Sequence, residues 1–103
     1  MAPSGKAIPE WQRLSPVCYN NYEMHELGIT ESLLSTALEY ASKAQAKRIK
    51  ALNVVIGEQS NVAEDSVRFY FQFLSPSTIA EGALLSFQKV PGAKFYLESI
   101  DVE

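Results

Sequence analysis

His25 is the only histidine in the chain, and it stands between Met24 and Glu26. An imidazole can ligate a metal, move a proton or simply face solvent, so this position is the first candidate for chemistry. The chain has no second histidine for a His-x-x-x-His metal motif, and it has neither a nucleophile elbow nor a phosphate-binding glycine loop. On residue chemistry alone, His25 is more readily explained as a packed or surface histidine than as a ligand.

Cysteine chemistry is equally restricted, because Cys18 is the only cysteine. An internal disulfide needs two cysteines, so the sequence excludes one. A closed zinc site needs four ligands, so the sequence argues against such a site. No catalytic dyad, triad or cofactor motif is evident either. We therefore expect no catalytic residues, and an enzyme is the least favoured class.

The charge pattern argues against nucleic acid as a partner. The 103 residues carry a net charge of −3, and no basic stripe is present. The basic cluster of Lys43, Lys47, Arg48 and Lys50 falls at the end of a predicted helix, where cations interact favourably with the helix dipole. No apolar run is long enough to cross a bilayer, and prolines interrupt the leader, so we expect a cytoplasmic protein without a membrane partner.

The predicted elements begin after an irregular, proline-containing leader. A short extended segment over 23–27 should precede a helix that is capped by Thr30 and reaches about Ala46. A nearly continuous apolar strand over 49–56 should be central in a sheet. A second helix over 63–74 carries an aromatic stripe that is expected in the core rather than around a cofactor. Its members are Val67, Phe69, Tyr70, Phe71, Phe73 and Leu74.

The last two strands are predicted over 83–90 and 94–102, on either side of the turn dipeptide Pro91-Gly92. This arrangement favours a tight hairpin, in which the two strands pair with each other. The strand, helix, strand order before it favours one right-handed parallel crossover. The predicted fold class is α+β, a small mixed β-sheet with two helices packed on one face. Residues 1–23 are predicted to be a flexible extension, and residues 24–103 the folded domain.

Five segments carry a more specific pattern. In chain order they are Met24-His25-Glu26-Leu27-Gly28-Ile29-Thr30, Val54-Val55-Ile56-Gly57-Glu58 with Ser60 and Val62, Asp65-Ser66-Val67-Arg68-Phe69, Thr78-Ile79-Ala80-Glu81-Gly82-Ala83 leading to Val90-Pro91, and Leu97-Glu98-Ser99-Ile100-Asp101-Val102-Glu103. Together these segments resemble the HypA family, the nickel chaperones of NiFe-hydrogenase maturation. The resemblance extends over nearly the whole chain from Met24 onward.

The resemblance implies a nickel site formed by Met24, His25 and Glu26. In that family the terminal amine, main-chain amide nitrogens and the imidazole can form a square-planar set, and Ni(II) favours nitrogen donors and tetragonal geometry. Here 23 residues precede Met24, so its nitrogen is an amide. Removal of the leader would supply the amine that anchors the ion.

The family also carries a zinc module with two Cys-x-x-Cys pairs between its last two strands. In this chain a short turn at 90–94 stands in that place, so no zinc is expected. The resemblance implies Ni(II) as transient cargo, a nickel-binding maturation GTPase and the hydrogenase large subunit as partners, and it leaves a homodimer open. The alternative is a metal-free protein-interaction domain of the same fold, with His25 on the partner-binding surface.

Overall fold

The computed structural model describes residues 6–7 and 26–103. In chain order its elements are β1 (Lys6–Ala7), α1 (Glu26–Lys43), β2 (Ile49–Gly57), α2 (Glu64–Leu74), β3 (Leu84–Val90) and β4 (Phe95–Val102). The strands form one mixed sheet in the order β1-β4-β2-β3. The predicted α+β class, with two helices and a mixed sheet, is confirmed.

Both helices pack on the same face of the sheet. Alternate residues of a strand share a face, and Leu52, Val54 and Ile56 of β2 belong to one buried cluster with residues of both helices. Leu33 represents α1 in that cluster, and Val67 represents α2. The apolar stripes of the two helices are therefore buried against the sheet and against each other.

Strand β2 is central, as its nearly continuous apolar sequence predicts. It pairs in parallel with β3, with Ala51 opposite Leu84, and antiparallel with β4, with Val55 opposite Tyr96. The parallel connection from β2 through α2 to β3 is also confirmed. Leu52 is completely buried, which is consistent with a position in the middle of the sheet.

The predicted hairpin between the last two strands is wrong. Strand β4 pairs with β2 and β1, whereas β3 pairs with β2 alone among the described strands. Residues 91–94 therefore cross over the end of β2 instead of turning back on β3. Two strand spacings amount to about 9.6 Å, which four extended residues can span. Pairing on both sides buries the apolar β2, and this outweighs the local preference of Pro91-Gly92 for a hairpin turn.

The start of α1 also differs from the prediction. Residues 26 and 27 are helical, so the extended segment predicted over 23–27 is wrong for the part that the structure describes. Thr30 is buried within the helix, and its hydroxyl donates to the carbonyl oxygen of Glu26, so it does not cap the helix. Helix α1 ends at Lys43, a few residues before the predicted end.

The aromatic stripe of α2 is only partly core. Val67 and Phe71 are buried, but Phe69 is 61% exposed and Phe73 is 76% exposed. At about 100° per residue, both exposed rings lie about 200° from Phe71 around the helix. Helical geometry therefore directs them to the opposite side, and the prediction that they belong to the core is wrong.

The predicted extension contributes one short element. Lys6 and Ala7 form β1, which pairs antiparallel with Ile100 and Ser99 of β4. The remaining residues of the predicted extension lie outside the described residues, so the boundary at residue 23 stays a prediction.

Candidate metal-binding end of the sheet

Of the three predicted nickel ligands, Glu26 is the one that the structure describes. Met24 and His25 lie outside the described residues. Glu26 is in the first turn of α1, where a carboxylate interacts favourably with the amino-terminal end of the helix dipole.

The carboxylate of Glu26 links the beginnings of the two helices. Its Oε2 accepts a hydrogen bond from the backbone N–H of Ala63 at 3.3 Å. Ala63 is the N-cap residue of α2, and it has no side chain that could cap the helix itself. A carboxylate supplied from α1 thus lies near two helix amino termini, and both favour its negative charge.

A cavity of about 670 Å³ adjoins this contact. It lies where β2 ends and α2 begins, and its lining includes Ala63, the partner of Glu26. Three carboxylates line it, namely those of Glu58, Glu64 and Asp65. Glu64 also approaches the one lysine of the lining, with 3.8 Å between its Oε2 and Nζ of Lys89. The carboxylates outnumber the lysine, so the lining favours cations over anions.

The cavity wall at the end of β2 is fixed by the crossing loop. The N–H of Gly57 donates to the carbonyl of Lys94 at 2.6 Å, and the N–H of Gln59 donates to that of Gly92 at 2.8 Å. A Cβ atom on Gly57 would lie 2.3 Å from the carbonyl oxygen of Gly92. Only glycine allows the loop to approach so closely, so the identity of residue 57 determines how this end of the sheet is closed.

The described residues do not form a metal centre by themselves. No group of three or more His, Cys, Asp or Glu side chains within residues 6–7 and 26–103 is arranged to hold an ion. Carboxylate oxygens are also poorer ligands for Ni(II) than imidazole and amide nitrogens. A nickel site at this end would therefore need nitrogen donors from the residues that precede Glu26.

Sequence reasoning singled out Glu26 but missed the carboxylates of Glu58 and Glu64 as cavity residues. A usable signal was present, because ligands in open sheets with parallel strands often bind beyond the carboxyl ends of those strands. Glu58 directly follows β2, and Glu64 begins the connecting helix. The contact between Glu26 and Ala63 could not be read from spacing, because 37 positions separate the two residues.

Within the described part of the chain, neither helix has the length and apolar content that crossing a membrane requires.

The chain is similar to known proteins over most of its length. The family model described as hydrogenase/urease nickel incorporation, metallochaperone, hypA matches residues 24–95. A hydrogenase maturation factor HypA of Dehalococcoides mccartyi strain BAV1 is 51% identical over 72 residues, which is 70% of this chain and 60% of the relative. A protein of the same name from Thermococcus kodakarensis is 45% identical over 64 residues, 62% of this chain and 46% of the relative.

A solved structure supports the fold. The solution structure of the Ni metallochaperone HypA from Helicobacter pylori superimposes with a TM-score of 0.60 at 24% identity, covering 72% of this chain and 70% of that one. The chain spans about 60% of the length of the Dehalococcoides relative. The family model nevertheless covers the described elements from α1 to the start of β4, and on that basis the chain belongs to the HypA family.

Proposed function

We propose that this chain binds Ni(II) transiently through Met24, His25 and Glu26 and passes the ion to a hydrogenase during its maturation. The observation that carries the proposal is the Met24-His25-Glu26 sequence, whose last residue is the first residue of α1, in a member of the HypA family. The chain acts as a carrier in this proposal, so no catalytic residue is required. The receiving protein is the hydrogenase large subunit, and a nickel-binding GTPase assists the transfer in the cytoplasm.

The chemistry of the three residues suits a weakly held nickel ion. The imidazole of His25 is a good ligand for Ni(II), and main-chain amide nitrogens become ligands when they lose their protons. An amine at residue 24 would hold the ion while this happens. The carboxylate of Glu26, which is already oriented by the N–H of Ala63, adds negative charge beside the ion.

The acidic cavity supports entry and release of a cation at the same end. Glu58 and Asp65 line it and are exposed to solvent, so they can attract a divalent ion without burying it. Exposed carboxylates hold an ion weakly because water competes for it. Weak binding suits a protein that must give up its cargo.

Nickel titration by calorimetry tests the proposal. The full chain is compared with a chain that begins at Met24, and each is made with and without His25→Ala. Trimming should strengthen Ni(II) binding about tenfold or more, a change of at least about 1.4 kcal/mol, because it creates the anchoring amine. His25→Ala should abolish that gain. Circular dichroism of each protein checks that it is folded, since trimming removes β1.

Two further variants separate charge from structure at Glu26. Glu26→Gln keeps an oxygen that can accept the N–H of Ala63 and removes the charge, so it should weaken nickel binding while lowering stability only by the helix-dipole contribution, about 0.3–1 kcal/mol per helix. Glu31→Gln is the matched control, because Glu31 is an exposed acid of the same helix. Equal affinity of the full and trimmed chains, or binding that ignores His25, would refute the nickel assignment.

A second candidate function, a metal-free interaction domain, is favoured by one observation. The rings of Phe69 and Phe73 stack on the outer side of α2 with centroids 6.4 Å apart, and both are mostly exposed. Exposed aromatic groups are common anchors of protein interfaces. Failure of the nickel titration would leave this function as the remaining one.

A further inference from the structure

Strand β3 is an edge of the sheet among the described strands. It pairs with β2 on one side, and the order β1-β4-β2-β3 leaves its other side without a described strand. The carbonyl of Val90 accepts the N–H of Glu58, which follows β2, so the even-numbered residues of β3 direct their backbone groups toward β2. The backbone groups of Leu85, Phe87 and Lys89 therefore face outward, because successive residues of a strand alternate sides.

This outward edge is complementary to itself. Its three outward residues are spaced symmetrically about Phe87, so two copies of β3 could pair antiparallel with Phe87 at the two-fold axis. Leu85 of one copy would then face Lys89 of the other, and the two lysines would lie apart from each other. Free edges of this kind promote association unless something blocks them.

Arg68 of α2 lies across this edge. Its Nη1 donates to the carbonyl oxygen of Leu85 at 2.9 Å, and its guanidinium carbon lies 4.8 Å from the centre of the Phe87 ring. One side chain thus occupies an outward acceptor and covers the central residue of the edge. Pairing of two copies would require Arg68 to leave both contacts, and it would bring two guanidinium groups together.

We infer that Arg68 prevents the edge of β3 from pairing with β3 of a second copy of this chain. Arg68 acts by occupying a hydrogen-bond acceptor, because its guanidinium binds the carbonyl oxygen of Leu85 that a second strand would otherwise use. A charge at a sheet edge opposes association in the same way in other proteins. The inference does not rest on the proposed nickel site, because neither Arg68 nor Leu85 lines the acidic cavity, although Lys89 of the same edge does.

Sedimentation velocity over a range of concentrations tests the inference on the full chain. Arg68→Ala should increase the association constant for a dimer about tenfold or more relative to the parent chain. Lys43→Ala is the matched control, because Lys43 is also a helix cation over an aromatic ring, with its Nζ 5.2 Å from the centre of the Tyr40 ring, but it lies on α1. The control should sediment as the parent does.

A double variant assigns the association to the edge. Proline removes an N–H, and at position 89 that N–H faces outward and makes no ladder bond to β2. Arg68→Ala with Lys89→Pro should therefore return to the association constant of the parent. Hydrogen exchange should show protection of the Leu85, Phe87 and Lys89 amides that rises with concentration in Arg68→Ala alone.

Several results would overturn the inference. One is an Arg68→Ala chain that is folded and associates no more than the parent. Another is stronger association that Lys89→Pro does not reverse, because the contact would then lie elsewhere, for example at the exposed rings of α2. If Arg68→Ala does not fold, Arg68→Met keeps the packing over Phe87 and replaces it in the test. Protection of the Phe87 amide from hydrogen exchange that rises with concentration in the parent chain would also refute the inference that Arg68 prevents pairing.

Discussion

Replacing Gly57 with alanine should destabilise the protein through the loop that crosses the end of β2. The added Cβ would lie 2.3 Å from the carbonyl oxygen of Gly92 and 2.8 Å from the backbone nitrogen of Lys94. Both neighbours are backbone atoms, so no side chain can move aside to make room. The loop must shift, and the hydrogen bond from the N–H of Gly57 to the carbonyl of Lys94 is the first to be strained.

The magnitude follows from three contributions. Overpacking of a close contact costs about 1–3 kcal/mol. Loss of one backbone hydrogen bond costs about 1 kcal/mol. Alanine also lowers the conformational entropy of the unfolded chain, which offsets about 0.4–1 kcal/mol of this loss of stability. The net loss should be about 1–3.6 kcal/mol, which lowers the melting temperature of a domain of this size by roughly 4–29 °C.

Urea unfolding followed by circular dichroism measures this loss, and Gly28→Ala is the matched control. Gly28 lies in α1, and a Cβ there would meet nothing within 4 Å. The same substitution should therefore stabilise the protein by about 0.5–1 kcal/mol, because alanine is a better helix former than glycine. A loss below about 0.5 kcal/mol for Gly57→Ala would refute the reasoning, because the three contributions together are expected to cost at least about 1 kcal/mol.

Three other outcomes are expected. Leu52→Ala should cost about 2–5 kcal/mol in urea unfolding, because Leu52 is fully buried in the central strand, and a loss under half of one kcal/mol would contradict that position. Phe71→Ala should cost about 3–5 kcal/mol while Phe73→Ala costs under about 0.5 kcal/mol, since only the first ring is buried, and equal losses would contradict the observed face of α2. Elemental analysis should find no stoichiometric structural zinc, because Cys18 and His25 are too few ligands, and one tightly held zinc per chain would overturn this.

The sequence predicted the elements better than it predicted their arrangement. The apolar run of β2 identified a central strand because burial on two sides needs such a run. The hairpin failed because Pro91-Gly92 reports only the local bend of the chain. Which strand receives β4 depends on burial of β2 and on the close approach at Gly57, and both are properties of the assembled sheet.

The candidate site shows the same division. Glu26 was proposed as a ligand because Met24-His25-Glu26 resembles a contiguous motif of the HypA family. The cavity beside it was missed because its lining comes from the end of β2, the start of α2 and Lys89 of β3. Those parts of the chain come together only when the parallel crossover forms. A contiguous sequence motif can therefore indicate a candidate ligand. The acidic residues around that candidate are brought together by the topology of the sheet and cannot be read from such a motif.

Four of the five segments that carry the family resemblance lie at one end or the other of β2. The segment that ends β2 and the segment at the start of α2 both line the acidic cavity, and Glu26 contacts Ala63 beside it. The segment from Thr78 to Ala83 lies at the other end of β2, where the carbonyl of Ile79 accepts the N–H of Ile49. There the hydroxyl of Thr78 donates to the carbonyl of Ser75 and accepts the N–H of Ala80, which shapes a turn. The turn at Thr78 therefore supports the fold at one end of β2, and the acidic cavity lies at the other end.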